Sequence, residues 1–441
     1  MSNDSNEVTR RTLLRGAGAG ALLLGGGSAL AACGSGGLKG NGSSAGKKIT
    51  IGLVTPLTGP VASFAVSDTY VTNLIRNTPA FKNGIKIGGK TYPVDIVVKD
   101  SQSDPNRASQ VAKDLVTSGA DMVLTTSTPE VTNPVATVCE SEGVPCVATI
   151  VPWESWYFGR GAKPGSTFTY TTMFFFGIPE FGECFIPMWN RIHNNKQVAL
   201  MYPNDADGNA FRDPKTGFPP IMHKAGYKTV DGGAYPDGTT DFTSMISKFK
   251  AHDCEIFQNA PIPPDFNAMW KQSAQQGFKP KLATVAKVLL FPSDVTALGN
   301  LALNVATDAW WTPFHKQNSS LVSNLSAKQL ADNFQSSTGK EWLQSLGTTY
   351  SLYEVAHNAF SKVSDPHDRK EVAAQLRSMN YTGMSGTLDF TSGPVPGVAI
   401  IKPVGVQWKK GTGQFPFELQ VVDNSANKAV PVTADLEPTN A

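Results

Sequence analysis

The sequence predicts an α/β protein made of two Rossmann-like lobes with parallel-rich sheets, joined by a hinge of several segments. Three observations predict it. From Lys48 onward, apolar runs of strand length alternate with amphipathic helical stretches across short connections, the pattern of right-handed β-α-β crossovers. The rhythm pauses at an aromatic stretch ending at Arg160 and restarts after Thr167. The chain has 441 residues, and the roughly 390 left after an N-terminal leader are more than one ordinary core takes.

The first half reads as four strands. Lys48 to Thr55 is a buried strand, and Pro56-Leu-Thr58-Gly-Pro60 turns it into a helix carrying Val61, Phe64, Val71, Leu74 and Ile75. Pro93 to Val98 is the second. Asp104-Pro105 follows as a helix cap with proline at the first helical position. Ala108, Val111, Ala112, Leu115 and Val116 then mark one helical face. Asp121 to Leu124 is the third strand, Asn133-Pro134 caps a helix, and Val144 to Ala148 is the fourth.

In the second half Thr167 to Phe174, Gln197 to Tyr202, Glu255 to Phe257, Lys281 to Val285 and Asn304 to Trp311 read as strands. Helices begin at Asp241 and at Pro263-Pro264, the latter stopped by Gly277. Leu352, Val355, Ala356, Ala359, Phe360 and Val363 form a further helical stripe, assigned back to the first lobe. The expected organisation is a leader over 1–33, a flexible tether over 34–47, and a first lobe of 48–170 plus 311–385. A second lobe of 171–310 plus 386–430 and a tail over 431–441 complete it.

The leader is an address rather than structure. Thr9-Arg10-Arg11-Thr12-Leu13-Leu14-Arg15 resembles a twin-arginine export motif, and Leu30-Ala31-Ala32-Cys33 resembles the lipobox of bacterial lipoproteins, with Cys33 the lipidated residue. The length from Leu13 to Ala32 also suits a membrane-spanning helix, but its glycines lower its hydrophobicity and a cysteine stands at the cleavage position. Gly16-Ala-Gly18-Ala-Gly20-Ala21 mimics a dinucleotide fingerprint, yet no strand precedes it. The Gly/Ser tether behaves as coil, about 13 residues reaching roughly 20 Å. The expected location is therefore extracytoplasmic, anchored by lipid to the cell membrane.

Composition excludes several classes. Lys and Arg total 38 against 36 Asp and Glu, so no electrostatic footprint for nucleic acid exists. Cys139, Cys146, Cys184 and Cys254 permit disulfides in an exported protein, and equally fit buried free thiols. No nucleophile elbow, phosphate loop, His-Glu-x-x-His or Cys-x-x-Cys is present. Asp205-Ala-Asp207-Gly208-Asn209 has its glycine too early for a calcium loop. No catalytic residue, cofactor or metal is expected.

The stretch Thr149-Ile-Val-Pro-Trp153-Glu-Ser-Trp156-Tyr157-Phe158-Gly-Arg160 follows the fourth strand just before the crossover. Loops at that edge of an open α/β sheet hold ligands, so Trp153 and Trp156 are candidate contacts. Padding of a surface loop is the competing account.

Four segments carry a family resemblance: Ile51-Gly-Leu-Val-Thr-Pro-Leu-Thr-Gly-Pro60, Asp104-Pro105 opening a helix, Glu140-Ser-Glu-Gly-Val-Pro145, and Gly277-Phe-Lys-Pro280. With the leader and the two lobes, the chain resembles the extracytoplasmic solute-binding proteins of ABC importers over about residues 48 to 425. Within them it is most similar to the leucine/isoleucine/valine- and amide-binding group, which has the type I periplasmic-binding fold. The resemblance implies a membrane-tethered monomer that closes on a small organic solute and delivers it to an ABC permease driven by separate ATPase subunits. It implies first-lobe contacts at Phe64, at Ser127 and Thr128 on a helix start, and from Thr149 to Trp153. Second-lobe contacts are implied near Tyr202, Asp207, Ile262 and the Ala286-Lys287 step.

The chain departs from the amino-acid-binding pattern in having Ala286-Lys287 where that group places an acid for the ammonium. Asp207 can replace that acid, which keeps an amino acid in play. Lys287 paired with an anion favours an organic or aromatic carboxylate instead, and a solvated loop lysine is the third account. A sensing receptor of the same fold and an exported two-lobed hydrolase are the rival functions.

Overall fold

The computed structural model describes residues 46–439. The export leader, Cys33 and all but the end of the tether lie outside the described residues. No described helix is long and apolar enough to cross a membrane.

Thirteen strands form the two large sheets. In chain order they are β1 Ile49–Thr55, β2 Val94–Asp100, β3 Met122–Thr126, β4 Cys146–Thr149, β5 Thr171–Phe175, β6 Gln197–Met201 and β7 Lys228–Asp231. β8 Ile256–Asn259, β9 Leu282–Val285, β10 Ala306–Ala309, β11 Val398–Ile400, β12 Val404–Lys410 and β13 Phe417–Asp423 follow. The first sheet has the order β11-β5-β4-β3-β1-β2 and every pairing in it is parallel. The second has the order β13-β12-β10-β9-β8-β6-β7. It is parallel except where β12 and β13 return antiparallel at one side.

The apolar runs explain why these segments are strands. β3, β4 and β5 are buried at every position, as expected of parallel strands covered by helices on both faces. Pro105–Thr117 begins where expected, with the Asp104 carboxylate accepting the Arg107 N–H at 2.7 Å. Its buried face is Ala108, Val111, Ala112 and Leu115. Ser345–Phe360 packs against the Asp68–Asn77 helix and the first sheet, which returns the chain to the first lobe.

Three details differ from expectation. The segment from Val61 divides into a short 3-10 turn, Ala62–Ala65, and a helix, Asp68–Asn77. The helix expected to start at Asn133-Pro134 begins at Pro129 and runs to Glu142, with Pro134 inside it; Thr128 supplies the extended residue that lets Pro129 open it. The lobe boundaries also move. Thr171–Phe175 and Val398–Ile400 belong to the first sheet, because β5 finds its partner in β4 and β11 adds beside β5. The chain therefore leaves the first sheet after Phe175, returns after Ala309, and crosses again between Ile400 and Val404.

All four described cysteines are free and buried.

Candidate functional site

A cavity lies between the two sheets, with an empty volume of about 390 Å³. Phe64, Thr128, Ile150 and Pro152 line it from the first lobe. Asp207, Phe211, Ala260, Ala286, Lys287, Leu290 and Asp308 line it from the second, and Phe175, Phe181 and Trp310 stand at the crossings. Each contributor follows from the topology. Thr128 and Ile150 sit just beyond the ends of β3 and β4, and Ala260 and Ala286 just beyond β8 and β9. The walls are thus the carboxyl ends of parallel strands, where open α/β folds place ligands.

Backbone strain concentrates at the same edges. Ser127 (φ 110°), Ile150 (φ 59°), Lys287 (φ 67°) and Leu289 (φ 52°) all hold left-handed conformations without being glycine. Such geometry costs about 1–3 kcal/mol each and gathers at ligand sites. Here it bends the chain sharply at the strand ends, so that Thr128 and Lys287 reach the cavity.

Lys287 is neither a solvated loop residue nor free. Its side chain is 6% exposed, and its Nζ lies 2.6 Å from Asp205 Oδ2, 3.0 Å from Asp207 Oδ2 and 3.8 Å from Glu130 Oε2. Burial alone would push the ammonium pKa down; the three carboxylates outweigh it and hold the group well above the usual lysine range. Asp205 is fixed in turn, because its Oδ1 accepts the Gly208 N–H at 2.6 Å and caps the Ala206–Arg212 helix. The expected loop around Asp205 to Asn209 is therefore a helix start that aims two carboxylates at one lysine. Glu130 comes from the first lobe, so this cluster ties the lobes together. Phe64 and Phe291 do the same on the apolar side, with ring centroids 4.9 Å apart at 74°.

Of the ten expected contacts, the structure brings Phe64, Thr128, Asp207 and Lys287 to the cavity wall. Ser127 is buried beside Thr128, with its hydroxyl unpartnered. Thr149 turns away from the cavity, its hydroxyl donating to the Phe174 carbonyl at 2.7 Å. Tyr202 is fully buried against Phe211 and donates to Gln258 Oε1, which places it one layer behind the wall. Ile262 is half-buried at the cap of the Pro263–Gln276 helix.

The aromatic stretch departs most from expectation. Trp153 to Tyr157 is a short helix rather than an open loop. Trp156 is fully buried, its ring 5.3 Å from Phe168 and 4.6 Å from the Arg160 guanidinium. Trp153 packs beside Tyr157 and Phe158 and against Gly177, where any side chain would collide with Trp153 and Glu154. Glu154 accepts the Ile178 N–H at 3.0 Å and so anchors the helix that carries the chain into the second lobe. These residues build the crossover; the tryptophan at the cavity is Trp310.

Asp308 and Trp310 escaped the sequence reading, as did Phe175, Phe181 and Phe211. One signal was available: Asp308 is the single charge in the apolar stretch Asn304-Val-Ala-Thr-Asp-Ala-Trp-Trp311, and a charge inside a buried strand asks for a reason.

The family model for periplasmic binding proteins matches residues 48–402. Among solved structures, the leucine binding protein LivK of Thermotoga maritima is similar at 17% identity and a TM-score of 0.68, covering 85% of this chain and 98% of that one. LivJ of Streptococcus pneumoniae, a branched-chain amino acid transporter substrate binding protein in complex with isoleucine, has 16% identity and a TM-score of 0.63, covering 89% and 99%. A solute binding protein of an ABC transporter from Rhodopseudomonas palustris, in complex with 3,4-dihydroxybenzoic acid, has 17% identity and a TM-score of 0.64, covering 89% and 98%.

Proposed function

Since the chain belongs to the periplasmic binding protein family, we propose that it is the capture component of an ABC importer, taking up one small organic solute between its lobes and presenting the closed form to a permease. The observation that carries this reading is the cavity itself. It is walled by both lobes, mostly apolar, and furnished with a few buried polar groups, the make-up of small-molecule sites. The mostly apolar lining with a few polar groups suits a compact organic solute. Contacts from both lobes favour the closed state by differential affinity, the basis of hinge closure. No chemistry on the solute is part of the proposal.

Delivery implies a place outside the cytoplasm, and the leader supports a lipid tether at Cys33. Labelling with a radioactive fatty acid checks the tether: wild type takes up label and Cys33→Ala does not. The binding step is checked by a thermal-shift screen of the mature protein against amino acids, amides, amines and aromatic acids. One compact class should raise Tm saturably, with the solute recovered unchanged. A flat screen, or turnover of the solute, refutes the reading.

A further inference from the structure

The solute's charge can be read from the cavity. Lys287 is the one cationic side chain among the described residues lining it, and Asp205, Asp207 and Glu130 already surround that ammonium. A lysine so occupied has little left to offer a ligand anion. The carboxylates, by contrast, are in excess. Asp207 meets Lys287 through Oδ2, while no hydrogen bond reaches its Oδ1.

Asp308 is the stronger case. It lies on β10, is 1% exposed, lines the cavity, and its Oδ1 has no hydrogen-bond partner. No lysine or arginine stands within ion-pair distance of it among the described residues. A buried carboxylate oxygen left without a partner is unfavourable unless a ligand supplies one. Burial pushes its carboxyl up to about 7, and a neighbouring cation would favour its charged form. Phe175, Phe181, Phe211 and Trp310 line the same cavity, and aromatic faces attract cations while giving an anion nothing.

We propose that the site selects a solute carrying a protonated amine on a compact apolar body, and that Asp308 is the carboxylate receiving the ammonium. The inference rests on the solute-binding reading of this cavity and adds the sign of the ligand's charge. It also relocates the acid. The position after β9 is occupied by Ala286-Lys287, and the free carboxylate stands one strand further along the sheet, at the crossing back to the first lobe.

The test is calorimetric titration with three probes of matched shape: 2-phenylethylamine, 2-phenylethanol and phenylacetate. Wild type should bind the amine at least tenfold more tightly than the alcohol, and the acetate least. Asp308→Asn should lose tenfold or more in amine affinity and leave the alcohol unchanged. Equal amine affinity in Asp308→Asn overturns the role of Asp308, and a preference for phenylacetate overturns the sign of the charge. Neither result touches the solute-binding reading, which falls if the broad solute screen is flat or the solute is turned over. Should Asp308→Asn not fold, the ranking of the three probes by wild type decides. If wild type takes none of them, the solute that scores in the broad screen decides instead: one that carries an ammonium group supports the proposal, and one that carries none overturns it.

Discussion

The two walls of the cavity are built alike and furnished differently. Each is the carboxyl edge of a parallel sheet, with left-handed residues turning the chain at the strand ends. Yet the first-lobe wall is uncharged, with Phe64, Ile150 and Pro152 around the Thr128 hydroxyl, whereas the second carries Asp207, Lys287 and Asp308. The same backbone geometry thus supplies a shape on one side and a charge pattern on the other. On the proposed reading, this difference assigns selection by charge to the second lobe and fit to the first.

The sharpest way to break this asymmetry is Lys287→Ala. It leaves Asp205 and Asp207 buried without their cation, and removing one member of a buried ionic cluster costs about 3–5 kcal/mol. Urea unfolding should show a loss of that order. A loss under about 1 kcal/mol would return Lys287 to the role of an accessory residue.

pH probes Asp308 without mutation, together with three buried carboxyls outside the cavity lining. Burial raises the carboxyls of Asp308 and Asp294 to about 7 and those of Glu154 and Glu341 to about 8. Each folded value lies above the unfolded one near 4, so the stabilisation is complete below about pH 4 and is lost as pH rises through about 7 to 8. His315 works in the opposite direction, since burial lowers it to about 4. Above its unfolded value near 6.5 it is neutral in both states. Between pH 6.5 and 8.5, Tm of the ligand-free protein should therefore fall, as followed by circular dichroism. A saturating amine should flatten the fall, because its charge favours ionised Asp308.

On the first wall, Phe64→Leu keeps apolar volume but removes the edge-to-face pair with Phe291. Solute affinity should drop by about 0.5–1.5 kcal/mol, without altering the preference among charged and neutral probes. A changed preference would mean that the walls do not divide the task. The smallest effect on affinity is expected from Trp156→Phe. It should lower Tm through lost packing with Phe168 and Arg160, while calorimetry gives an unchanged Kd.

How much of this was legible in the sequence depended on the range of the interaction. Alternating apolar runs and helix caps are local, so the strands and the Asp104 cap could be read directly. Of the positions the resemblance implied, Phe64, Thr128, Asp207 and Lys287 line the cavity. Partnership was not legible. Asp205 and Glu130 lie 82 and 157 positions from Lys287 by residue number (287 − 205 and 287 − 130), and nothing local says that they meet. Aromatic density pointed to Trp153 and Trp156, whereas the crossover that brings Trp310 to the cavity is a property of topology. The lobe boundary failed for a related reason, since pairing of β5 with β4 outweighs the break in rhythm near residue 167.

One titration tests solute capture most directly: calorimetry of the mature protein with the solute that raises its Tm most. Binding should be saturable at one site per chain, with a negative heat-capacity change from burying apolar surface and the solute recovered unchanged. Two or more equivalent sites, or heat that continues after saturation with product formed, would contradict this expectation.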